Sequence, residues 1–251
     1  MSAPSRMRSV VFLGLLSLAC SAVPEGPGRR VGALSARPHA PTLPCPAGFT
    51  ALGLDAARDA VLYAPPGVAS SGAPAPLLVF LHGAGGNPAR GLERMRPLAD
   101  ARGVILLVPR SRGDTWDAIR GSLGPDVGFV DRSLDAAFDR CAVDASHIGV
   151  SGFSDGASYA LTLGIANGDL FTHVVAFSAC LVGRGITRKG TPPVFLSHGR
   201  ADEILHVEAC GRSLEKRLNK SGYAVTYDEF DGRHEMPPDV VEAAYGFFLT
   251  R

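Results

Sequence analysis

Three observations predict an α/β fold, with a mostly parallel central sheet flanked by helices. Short apolar runs alternate with helix-like segments from about residue 60 onward. One run, residues 76–83 (PLLVFLHG), is apolar almost without interruption, as a strand buried on both faces has to be. Several runs end in turns carrying Gly, Ser, Asp or His, at the carboxyl ends of strands where such sheets gather their ligands. At 251 residues and 46% hydrophobic, the chain is long enough to bury one substantial core, so a single domain is the default expectation.

The elements follow in order. Residues 49–54 (FTALGL) and 60–66 (AVLYAPP) read as an opening antiparallel pair, and residues 76–83 as the first buried strand. A helix over 92–102, a strand at 104–109 (VILLVP), a glycine-rich loop through Trp116 and a helix over 129–140 come next. The strand at 147–152 (HIGVSG) leads into a helix beginning at Gly156. Strands at 173–178, 193–199 and 224–230 complete the sheet, with helices over 207–218 and 238–249. The connection between the strands at 173–178 and 193–199 is short, which leaves no room for a large lid domain.

The amino terminus reads differently. Arg6 and Arg8, an apolar run from Val10 and small residues around Ala19 have the layout of an export signal over residues 1–22, and the run is too short to span a bilayer. Its end at Cys20 resembles a lipobox, with Ser17 where that motif prefers leucine, so lipidation at Cys20 and cleavage near Ala22 both remain open. Residues 23–46, rich in Pro, Gly, Ala and Arg without hydrophobic period, are expected to form a disordered linker ahead of a catalytic domain at 47–251. Cys45, Cys141, Cys180 and Cys210 form an even set that suits an exported protein; three pairings are possible, and Cys180 could meet Cys210 near one sheet edge. With 25 basic and 24 acidic side chains there is no charge bias toward nucleic acid or anionic membrane. Oligomeric state is not legible.

The most informative stretch is residues 152–156, GFSDG. A nucleophilic serine must stand clear of its backbone, and a sharp strand-to-helix turn with glycine on either side presents Ser154 in that way. Its hydroxyl then needs a base and a carboxylate to orient the base. Residues 195–205 (FLSHGRADEIL) supply Asp202 after one strand, and residues 229–237 (EFDGRHEMP) supply His234 after the last. Asp231 is a rival acid, less suited because it sits at the end of the last strand. Residues 82–86 (HGAGG) end another strand, where Gly83 could border the substrate and the Ala84 N–H could meet a developing oxyanion together with the N–H of Asp155.

These four motifs resemble the α/β-hydrolase superfamily, specifically small lidless members of the phospholipase/carboxylesterase group, and are similar to secreted polyhydroxybutyrate depolymerase-like and feruloyl esterase-like proteins. The similarity runs from about Leu77 to the C-terminus. It implies an α/β-hydrolase fold, hydrolysis of small-molecule carboxylic esters or thioesters through Ser154, Asp202 and His234, and no metal or organic cofactor. Polyester or feruloyl ester substrates, and an inactive hydrolase-fold binding lipoprotein, are the alternatives. Asp155 departs from the family, which often carries Gln or Met there; its carboxylate should repel anionic substrates and stabilise positive charge on His234.

Other polar residues have plainer readings. His82 is expected to be a structural hydrogen-bonding group, and His147 and His173 to be surface or cap residues. His198, Asp202 and His206 recur every four residues, but His198 closes a strand, so they do not form a metal-binding helix face. Trp116 is expected either to wall the substrate pocket or to anchor its long loop, and Arg110, Arg112 and Arg120 either to meet an acidic substrate group or to sit in solvent.

Overall fold

The computed structural model describes residues 31–250 except Asn87 and Ser122, so the export segment, Cys20 and residues 23–30 of the expected linker lie outside the described residues. Eight strands form one sheet: β1 (Gly48–Ala51), β2 (Val61–Ala64), β3 (Ala75–Leu81), β4 (Ile105–Val108), β5 (Val143–Phe153), β6 (His173–Phe177), β7 (Val194–Gly199) and β8 (Val225–Phe230). Their spatial order is β1-β2-β4-β3-β5-β6-β7-β8. The opening pair is antiparallel, β2 runs antiparallel to β4, and every later pairing is parallel. The helices are α1 (Pro66–Ser71), α2 (Pro88–Arg102), α3 (Pro125–Arg140), α4 (Asp155–Ala166), α5 (Gly211–Lys220) and α6 (Pro238–Phe248).

The period-2 alternation of side chains divides the core between the two faces of the sheet. From β3, Leu77, Val79 and Leu81 point toward α3 and α4, whereas Leu78 and Phe80 point toward α2 and α6. β4 splits in the same way, Ile105 and Leu107 on one face and Leu106 and Val108 on the other. That is why the 76–83 and 104–109 runs lack polar interruptions. Helix α4 is buried from Gly156 to Ala166 and is accordingly apolar around most of its circumference. Gly164 allows this depth, because a Cβ there would come within 2.3 Å of Val174.

Several boundaries differ from expectation. Helix α3 starts four residues early, at Pro125, where proline suits the first turn. Residues expected to open a helix at 207 form turns instead, and α5 begins only at Gly211. Strand β5 reaches back to Val143, and α1 and a 3₁₀ turn at Asp117–Arg120 went unread.

The larger correction concerns the linker. Residues 31–46, expected to be disordered, form an irregular strap packed on α3 and α4. The carboxylate of Asp131 accepts hydrogen bonds from the Ser35 N–H (2.7 Å), the Ala36 N–H (2.8 Å) and the Ser35 hydroxyl (2.5 Å). Asn167 brackets the strap from the other side, accepting from the Leu34 N–H and donating to the Gly32 carbonyl. Leu34 and Ala36 are buried in the core, Arg37 pairs with Asp169, and a disulfide joins Cys45 to Cys141. The prolines and small residues that suggested disorder instead let an extended chain lie flat, its backbone satisfied by side chains rather than by a ladder.

Asp131→Ala would leave two strap N–H groups without acceptors. It is expected to lower unfolding free energy by about 2–4 kcal/mol, measured by denaturant unfolding with both disulfides intact. A change within error would mean that the strap contributes nothing to the cooperative fold.

Candidate active site

The nucleophile turn is built from backbone contacts. Ser154 has φ 57° and ψ −120°, a conformation rare outside glycine, between the end of β5 and the start of α4. Gly152 and Gly156 permit it, since a Cβ on Gly152 would lie 2.3 Å from the Gly156 carbonyl oxygen and one on Gly156 would lie 2.0 Å from that of Leu81. The Ser154 N–H donates to the Phe177 carbonyl (2.9 Å), which ties the turn to β6.

Ser154 Oγ lies 2.9 Å from His234 Nε2, and His234 Nδ1 lies 2.7 Å from Asp202 Oδ2. Asp202 Oδ1 accepts the N–H groups of Ile204 (2.9 Å) and Leu205 (2.8 Å). Burial opposes charge on Asp202, but the Leu205 N–H, then His234, and the Ile204 N–H outweigh it and hold the carboxyl below its usual range. An ionised Asp202 fixes the proton on Nδ1 of His234 and leaves Nε2 as acceptor for the serine hydroxyl. The structure thus brings Ser154, His234 and Asp202 into one hydrogen-bonded chain. Asp231 is elsewhere, exposed and paired with Arg200 (2.5 Å).

His198 adds a contact the sequence did not suggest. Its ring is fully buried at the end of β7, with Nε2 2.6 Å from the Leu205 carbonyl and 3.2 Å from Asp202 Oδ2. It therefore braces the loop that bends Asp202 toward His234. His206 does not join it, because residues 200–210 form turns rather than a helix. The disulfide Cys180–Cys210 closes the far side of this loop and ties it to the segment after β6.

On the opposite side, residues 82–86 run past Ser154. A Cβ on Gly83 would lie 3.3 Å from that of Ser154, so this backbone sits directly against Ser154. The N–H groups of Ala84 and of Asp155, the latter in the first turn of α4, have no protein acceptor among the described residues. The loop's shape depends on His82. Its Nδ1 donates to the Gly83 carbonyl (2.8 Å), its Nε2 accepts from the Ser111 N–H (3.1 Å), and any Cβ on Gly86 would overlap the ring.

Trp116 does not wall a substrate pocket. It is fully buried, stacked on Tyr159 (4.9 Å) and tilted by 37° against His82 (4.9 Å), and its indole N–H donates to the His82 carbonyl (2.8 Å). With the Gly85 N–H bonded to the Asp114 carbonyl, it makes the 110–117 loop a buttress for residues 82–86. From the same loop, Thr115 Oγ1 donates to Asp155 Oδ2 (2.5 Å). Arg112 is committed to Asp55 and lies over the Phe129 ring, Arg110 donates to the Ala57 carbonyl (3.4 Å) and the Arg120 guanidinium lies beside Gly113, so none of the three lines the cavity beside His234. His147 pairs with Asp144, and His173, expected at the surface, is buried with its ring edge-on to Phe247 and Phe248.

The sheet order, the sharp serine turn and the three hydrogen-bonded side chains are those of the α/β-hydrolase fold, which solved esterases share. Residues 127–250 match the phospholipase/carboxylesterase family. The putative esterase NocK of Nocardia uniformis subsp. tsuyamanensis is 32% identical over 152 residues, 54% of this chain and 44% of that protein, so the match spans less than half the length of that relative. Among solved structures, the phospholipase/carboxylesterase from Dyadobacter fermentans DSM 18053 superposes with a TM-score of 0.57 at 21% identity, covering 77% of this chain and 97% of that one. The Bacillus cereus carboxylesterase gives 0.59 at 19% identity over 77% and 94%. Thermogutta terrifontis esterase 2, solved phosphonylated by cyclosarin, gives 0.61 at 18% identity over 81% and 93%.

Burial, and then repulsion from Arg110 and Arg58, hold His82 below the ordinary histidine range. The unfolded chain protonates this residue near pH 6.5, so below that value it binds a proton the folded state refuses, and stability falls until the lower folded value is passed. His82→Gln is expected to be less stable at neutral pH but to lack this share of the acid loss. Denaturant midpoints from about pH 8 to pH 5 check it; equal pH slopes for the two proteins would contradict it.

Proposed function

We propose that the protein is a serine carboxylesterase that cleaves esters through an acyl-enzyme on Ser154. The observation that carries the reading is the continuous hydrogen-bonded chain from Ser154 Oγ through His234 to an ionised Asp202. As Ser154 Oγ attacks the ester carbonyl carbon, its proton passes to His234 Nε2, and Asp202 stabilises the imidazolium. The carbonyl oxygen, now an oxyanion, is held by the N–H groups of Ala84 and Asp155. Collapse expels the alcohol, which takes the proton from His234. Water then gives a proton to His234 and attacks the acyl-enzyme, and the second collapse releases the acid and restores the serine.

Two further features bear on the setting. The segment between β6 and β7 carries no helical insertion, and its start is fastened by the Ser158 hydroxyl, which accepts the N–H groups of Cys180 and Leu181, and by the Thr162 hydroxyl, which accepts that of Gly183. This supports an open site working on dissolved esters. Two disulfides support an oxidising compartment and hence export, with Cys20 as the candidate lipidation point.

Hydrolysis of p-nitrophenyl esters of increasing acyl length is expected without a lag that lipid micelles abolish. Ser154→Ala should lower kcat by at least about 10³-fold and abolish labelling by a fluorophosphonate. Labelling without turnover of any ester would point to a specialised substrate such as a polyester or feruloyl ester. No labelling and no turnover would favour the binding-protein alternative.

A further inference from the structure

Beside the nucleophile lies a cavity of 440 Å³ whose lining is chemically lopsided. Its floor is apolar, from Phe80, Phe153 and Met236, and its inner edge is His234 with the backbone of residues 82–86. Its outer wall, from the first turns of α2, carries Arg90 and Arg94. Gly91 between them brings the helix close, since a Cβ there would lie 2.2 Å from the Phe80 ring.

No carboxylate among the described residues pairs with either arginine. Arg94 is nevertheless held in place, because its Nη1 donates to the Met236 carbonyl (2.8 Å), and this leaves its charge uncompensated. Glu235 is the one acidic side chain on the cavity wall, and its Oε1 accepts the Arg233 N–H. Two guanidinium groups and one carboxylate therefore share the cavity lining. Asp155 is not part of this lining, and its carboxylate is drawn by Thr115 toward the 110–117 loop on the other side of Ser154.

We propose that this cavity selects esters bearing an anionic oxygen group a few atoms from the scissile carbonyl, such as a half-ester of a dicarboxylic acid, with the anion held by Arg90 and Arg94. The inference deepens the esterase reading and rests on it. Guanidinium groups bind carboxylate and phosphate oxygens through paired N–H donors, and the apolar floor suits the short methylene spacer between anion and ester. Asp155 then acts as an orienting charge rather than a general exclusion of anions, since a substrate placed the wrong way round would bring its charge toward that carboxylate.

The test compares substrates of matched length on the full chain: p-nitrophenyl hemiglutarate with p-nitrophenyl pentanoate for an anion on the acyl side, and acetyl glycolate with ethyl acetate for one on the alcohol side. In at least one pair the anionic ester should have the higher kcat/KM. Arg90→Gln with Arg94→Gln should lower kcat/KM for that ester by about 10- to 100-fold, the worth of one or two charge-assisted hydrogen bonds, and leave its neutral partner within about twofold. Arg90→Gln alone disturbs no contact of the fold and should give part of the effect. An anionic phosphate ester assayed beside them tells whether the cavity prefers planar or tetrahedral oxygens. Equal turnover within both pairs, or equal losses on anionic and neutral esters, would overturn the proposal.

Calorimetry on Ser154→Ala separates this outcome from a failure of the esterase reading. Monomethyl glutarate should bind that variant more tightly than dimethyl glutarate, and the preference should vanish with both arginines replaced, whether or not the wild-type protein turns over any ester.

Discussion

The site depends on how closely the backbone on either side of Ser154 approaches its neighbours. Gly156 lies against the carbonyl oxygens of Leu81 and His82, at the end of β3, with no space for even a methyl group. That contact holds the first turn of α4 beside the 82–86 loop. Gly152 makes the complementary approach to Gly156 itself, which forces Ser154 into its unusual conformation. A larger residue at either glycine would separate β5 from α4 and pull apart Ser154, the 82–86 loop and His234 together. The strain at one residue is sustained by the packing of a helix that is buried along nearly its whole length.

Around this fixed point the loops are braced in pairs. The 110–117 loop supports residues 82–86 through Trp116 and the His82 ring, and His198 with the Cys180–Cys210 disulfide supports the turn that carries Asp202. Trp116, His198 and the disulfide are not part of the cavity lining, yet each supports a loop that carries a group near it. Proteins that place reactive groups on irregular loops need such supports, because a loop cannot hold geometry through its own ladder.

The difference between braces and reactive groups explains what could be read from sequence. Ser154, Asp202, His234 and the 82–86 turn were legible because each ends an apolar run and their order along the chain is chemically meaningful. The sheet was legible for a similar reason, since β3, β4, β6 and β7 are buried on both faces. The roles of His198 and Trp116 were not, because they arise from loop and long-range contacts between residues 4 to 43 positions apart, outside any regular element whose period would announce them. The strap at residues 31–46 misled for a physical reason. Its composition lacks hydrophobic period, and its order comes from Asp131 in α3 and Asn167 at the end of α4, 96 to 135 residues away, which no local window contains. Nothing in the spacing of Arg90 and Arg94 announces that they border a cavity, because it is Phe80 and Met236, from other parts of the chain, that complete its lining.

The strap also determines how the molecule carries mechanical load. Tension applied from the N-terminal side meets Asn167 and Asp131 first, where the chain lies across helices, and then passes at Cys45 through a covalent bond into the end of α3 at Cys141. The edge strand β1 begins only at Gly48, beyond that bond, so the force is diverted before it can unzip the sheet. A domain pulled by its leading end in a flow or on a surface would therefore keep the edge of its sheet at rest.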